Sequence, residues 1–63
     1  MQVSEFYIQR AARRLLEQRG DGAVAEARAK VAECRARDDM LAADTWLRII
    51  ATIEEMRRAG VGD

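Results

Sequence analysis

An apolar stripe between Met40 and Gly60 constrains this chain more than any other feature. Trp46, Ile49, Ile50, Ile53 and Met56 recur at three- and four-residue steps, with Leu41 about a turn earlier and Leu47 at the edge. That spacing gathers them on one face of a 3.6-period helix. The other face carries Asp44, Arg48, Glu54, Glu55, Arg57 and Arg58. Asp39 is the expected N-cap, since its carboxylate can accept from the first free backbone N–H groups. Arg57 and Arg58 fall in the last turn, where positive charge suits the helix dipole. Gly60 comes next as a left-handed stop. This helix supplies most of the core the chain can build.

Proline is absent, and Ala, Arg, Glu and Leu are plentiful, which favours an all-helical chain. With 63 residues, the chain makes one domain, read as 1–63 with a frayed tail at 60–63. A domain of this size buries only roughly 60% of the surface its unfolded chain exposes. One Cys rules out an intrachain disulfide, and the lack of His removes the usual zinc framework. Oligomerisation is the remaining common route to stability.

Taken in order, Ser4 is a natural N-cap for a first helix running to about Arg19. Ile8, Ala11, Ala12, Leu15 and Leu16 form its stripe, and Phe6 and Tyr7 are expected to fix its entry. The Ala pair keeps the stripe low, so that another helix can come close. Arg10, Arg13, Arg14 and Arg19 lie largely on the other side, answered by Glu5 and Glu17. Gly20-Asp21-Gly22 then punctuates the chain, with Asp21 placed to cap the second helix. So short a connection predicts an antiparallel hairpin of helices one and two.

Helix two contains a repeat of period seven. Val24-Ala25-Glu26-Ala27-Arg28-Ala29-Lys30 leads straight into Val31-Ala32-Glu33-Cys34-Arg35-Ala36-Arg37, matching in kind at every position. With Val24 and Val31 at heptad position a, Ala27 and Cys34 occupy d, and small residues there permit close helix approach. Glu26 with Lys30 and Glu33 with Arg37 have the favourable four-residue spacing. Two heptads fit a close-packed face within a small bundle better than a long rod. Asp38 puts a charge where the next a position needs an apolar residue, which predicts a break. One continuous helix from Ala23 to Ala59 is the alternative.

Little in the chain points to catalysis. Without His, the common general base and metal ligand are both missing. Glu54 and Glu55 are helical neighbours and diverge, and Asp38-Asp39 reads as a capping signal. Cys34 shares a heptad slot with Ala27, which favours packing over a reactive thiol. No enzyme activity, cofactor or metal is expected. Eleven basic and eleven acidic residues balance, so global charge gives no reason to seek nucleic acid or an anionic membrane. The first residues lack the pattern of a signal peptide and no apolar run could span a bilayer, so the expected location is cytoplasmic.

Several of these strings form one pattern: Phe6-Tyr7-Ile8-Gln9-Arg10-Ala11-Ala12, the Gly20-Asp21-Gly22 turn, Asp39, Trp46-Leu47-Arg48-Ile49-Ile50 and Ile53-Glu54-Glu55. The pattern resembles a family of short helical bacterial proteins of uncharacterised function, in which a helical hairpin precedes a Trp-bearing final helix. Asp38-Asp39 stands where that family often has Gly-Asp. The resemblance implies a bacterial cytoplasmic setting. It supplies no activity and no functional residue.

The expected fold is therefore all-α, a small three-helix bundle of a helical hairpin plus a longer C-terminal helix, associating as a homodimer. The expected function is a protein–protein interaction module, an adaptor, regulator or accessory subunit binding itself or a larger partner through apolar helix faces. Val24, Ala27, Val31, Cys34, Trp46, Ile49, Ile50 and Ile53 are the candidate interface. The alternative is a nucleic-acid binder with Arg10, Arg13 and Arg14 on phosphates.

Overall fold

Capping residues set the limits of each helix in the computed structural model, which describes residues 4–60. Ser4 Oγ accepts from the Tyr7 N–H at 3.1 Å and opens α1 (Glu5–Arg19). Gly20, with φ of +53°, closes it and sends its own N–H back to the Leu16 carbonyl. One 3-10 turn, Gly20–Gly22, leads directly into α2 (Ala23–Ala36). Helical backbone thus runs from Glu5 to Ala36 as one bent run, and α3 (Met40–Arg58) is a second helix. Of the tail read at 60–63, residues 61–63 lie outside the described residues.

The break between α2 and α3 is real, and it costs a single left-handed residue. Asp38 has φ of +61°. Its N–H donates to the Arg35 carbonyl at 3.0 Å, and the Asp39 N–H donates to the Cys34 carbonyl at 2.8 Å. This pair of bonds is a Schellman motif, which satisfies carbonyls that the helix end leaves open. Asp39 then starts the next helix, its Oδ1 accepting from the Ala42 N–H at 3.2 Å. A continuous helix from Ala23 to Ala59 would be about 55 Å long. The longest extent of the molecule is 36 Å.

The sharp break folds α3 back along α2. Cys34 and Val31, near the end of α2, share a buried cluster with Ala43 near the start of α3, and Ala27 and Ile50 complete it. A second cluster holds Ile8 and Ala12 of α1, Ala23 of α2, and Ile49 and Ile53 of α3. Three half-buried side chains, Leu15, Val24 and Trp46, one from each helix, pack against both clusters. Ion pairs tie the periphery: Arg57–Asp21 at 3.4 Å, Arg19–Glu26 at 3.2 Å and Arg48–Glu5 at 4.0 Å. Each has at least one exposed partner and the other no more than half-buried, so each adds little.

Four expectations need correction. The hairpin of helices one and two is open: α1 and α2 touch each other far less than either touches α3. The reason is that Gly20–Gly22 continues as helical turn, and the small residues of both helices turn towards α3. Asp21 does not cap α2, whose N-cap is Gly22 without a side-chain bond; it pairs with Arg57 instead. Glu26 likewise reaches Arg19 and not Lys30. Phe6, Tyr7 and Leu41 do not belong to the core and are 69%, 55% and 73% exposed.

This packing has two measurable consequences. Ala27 has no exposed surface, so Ala27→Glu should bury an unpaired charge and unfold the chain, seen as loss of helical circular dichroism at every concentration. Asp38→Gly should raise stability by about 0.5–1 kcal/mol in urea denaturation, because glycine adopts the left-handed conformation without a Cβ clash.

Candidate functional site

Most of the residues expected at an interface lie inside the chain. Ala27, Val31 and Cys34 are covered by α3, and Ile49, Ile50 and Ile53 are the α3 residues that meet α1 and α2. Val24 and Trp46 are half-buried. The heptad seam is therefore filled by a helix of the same chain. Cys34 is 3% exposed and packs among apolar neighbours, as its heptad slot suggested.

Among the described residues, two surface grooves lie on opposite sides of α3's packed face. The first is centred on Trp46. Tyr7 and Ala11 from α1 meet Ala42, Thr45, Trp46 and Ile49 from α3 around a concavity of about 440 Å³. It adjoins a wider one of about 550 Å³, in which Tyr7, Leu15 and Trp46 are joined by Arg10, Arg13 and Arg14. Both concavities are lined by residues of α1 and α3. The phosphate-contact candidates Arg10, Arg13 and Arg14 are thus brought together with Tyr7 and Trp46. Glu17 is the acidic residue in the lining. Arg10, Arg13 and Arg14 have no ion-pair partner among the described residues, while Arg10 sits 5.8 Å from the centroid of the Phe6 ring.

The second groove runs between α2 and α3 and measures about 380 Å³. Val31, Ala32 and Ile50 form its floor, Leu47 one wall, and Arg28, Arg35 and Glu54 its rim. Leu47 is 43% exposed because it stands one position past Trp46, turned away from α1. The sequence pattern placed Leu47 at the stripe's edge but gave it no role. Tyr7, expected to fix the entry of α1, is a groove residue, and Thr45 was missed as one. The signal for Tyr7 was its four-residue spacing to Ala11 and Leu15.

No buried polar or charged side chain occurs among the described residues, and no group of three or more His, Cys, Asp or Glu could hold a metal there. No helix among them is long and apolar enough to cross a membrane. Comparison with protein families, characterised proteins and solved structures finds no match to this chain.

The charge around Trp46 has an optical readout. With Stern–Volmer slopes taken relative to those of free tryptophan, iodide should quench Trp46 fluorescence more efficiently than caesium, because the arginines lining the groove concentrate anions there. Replacing Arg10, Arg13 and Arg14 with Gln should bring the two Stern–Volmer slopes together. Equal slopes in the unmodified protein would show that these side chains do not shape the field at Trp46. Trp46→Ala should cost about 2–3 kcal/mol, below the value for a fully buried Trp, since part of the ring already faces solvent.

Proposed function

We propose that this chain is a non-enzymatic protein–protein interaction module: a small three-helix bundle acting as an adaptor, regulator or accessory subunit in the bacterial cytoplasm, and self-associating as a homodimer. The observation that carries the reading is the set of large apolar side chains left outside. Phe6, Tyr7, Met40, Leu41 and Leu47 are all exposed. The interior has correspondingly modest content, since Ala12, Ala23, Ala27 and Ala43 make up much of both buried clusters. Each such Ala brings backbones close but buries little apolar area. A partner that covers exposed Leu, Met or aromatic groups adds the burial that a chain this short lacks. The bacterial and cytoplasmic setting rests on the family resemblance.

One observation favours a second reading, a nucleic-acid binder. Arg10, Arg13 and Arg14 share a groove with Tyr7 and Trp46. A basic groove with aromatic side chains is the arrangement that tracks a single strand, with phosphates on the cations and bases on the rings.

Salt separates the two. Association through apolar faces persists at high salt, whereas phosphate binding weakens steeply. Sedimentation at rising protein concentration should show a salt-resistant dimer, with no binding to a mixed single-stranded oligonucleotide pool. A monomer that binds the pool at low salt, and loses that binding when Arg10, Arg13 and Arg14 become Gln, would establish the second reading instead.

A further inference from the structure

We infer that the groove between α2 and α3 is the self-association surface, and that a second copy of this chain is its occupant. The inference rests on the homodimer reading and says where the contact lies. The charges decide between the two grooves. At Trp46 the rim is dominated by Arg10, Arg13 and Arg14, with Glu17 alone against them. A two-fold axis there would bring two arginine clusters together, and like charges in register oppose docking.

The α2–α3 groove is complementary to itself. Arg28 and Arg35 stand on the α2 side and Glu54 on the α3 side, all exposed. An axis running along the groove lays α2 of one copy over α3 of its partner. Each basic rim then meets an acidic one, twice by symmetry. The apolar parts agree with that placement. Leu47 projects from the α3 side, while Ala32 on the α2 side is exposed and small. The same axis carries Leu47 of each copy towards Ala32 of the other, a knob against a low surface. The heptad repeat gains a further meaning here. Its a and d residues pack inside the chain, and its e residues, Arg28 and Arg35, line the outer rim.

Charge exchange tests the surface. Glu54→Arg makes both rims basic; Arg28→Glu with Arg35→Glu makes both acidic. The unmodified protein should show twice the chain mass by light scattering at high micromolar concentration. Each charge variant alone should be monomeric, its dissociation constant raised about tenfold or more. Mixed in equal amounts, the two variants should return to the dimer mass. Circular dichroism checks that they remain helical. Leu47→Lys, at another exposed position, should also give a folded monomer, and it decides the matter if a charge variant loses its helix. A dimer retained by the charge variants, or by folded Leu47→Lys, would overturn this surface and leave the homodimer standing. An unmodified protein that stays monomeric at its highest soluble concentration would overturn the homodimer reading itself.

Discussion

The left-handed turn at Asp38 is the constraint on which the rest of the structure depends. Without it, α2 and α3 would be one rod and neither apolar stripe would have a cover. The turn needs no loop, because the two N–H groups of Asp38 and Asp39 answer the carbonyls of Arg35 and Cys34. The same Asp39 then offers its carboxylate to the start of α3. One residue finishes one helix and begins another. This leaves the seam of α2 facing the stripe of α3 from the first turn onward, with Cys34 set against Ala43 in one cluster. Asp is among the few residues other than Gly that enter the left-handed region readily, since its short polar side chain bonds locally.

Small residues decide how closely the helices then pack. Ala12, Ala23, Ala27 and Ala43 let the three backbones approach, and branched residues from α3 fill the space between them. Close approach to α3 on both sides leaves α1 and α2 with little contact of their own. The opening between them is bridged by Leu15, Val24 and Trp46. Trp46 lies at the centre of the stripe yet is only half-buried, because it lines the open groove between α1 and α3. Its place at that groove, and not hydrophobicity of the residue, sets its exposure.

Much of this was legible in the sequence. The caps at Ser4 and Asp39, the break after helix two, the stop at Gly60 and the helical content all come from local chemistry, and the structure has each of them. Ile49, Ile50 and Ile53 could be placed in the core from spacing alone. What could not be read was which stripe covers which. A seam of Val, Ala and Cys fits a neighbouring helix equally well whether it belongs to the same chain or another. Local pattern is silent on that choice, so residues expected at an interface turned out to face α3. Ala23 and Ala43 escaped notice for a related reason, since a buried Ala and an exposed one have the same local signature. Phe6 and Leu41 show the converse: each is exposed two residues before a buried neighbour, Ile8 or Ala43, so apolar character at a helix start does not bury a side chain off the packed face.

Net charge of zero also concealed an uneven surface. Glu5, Asp21 and Glu26 are engaged by Arg48, Arg57 and Arg19, none of which lines the Trp46 groove. Those pairings draw acidic groups to the edges where helices meet. Arg10, Arg13 and Arg14 are left together on one groove, while the groove between α2 and α3 keeps charges of both signs. The two surfaces therefore favour different occupants. A predominantly basic rim around aromatic groups favours an anion and opposes its own copy. A mixed rim beside an exposed Leu can meet its symmetry mate without repulsion. Balance over the whole chain and segregation between its faces are compatible, and it is the segregation that a partner encounters.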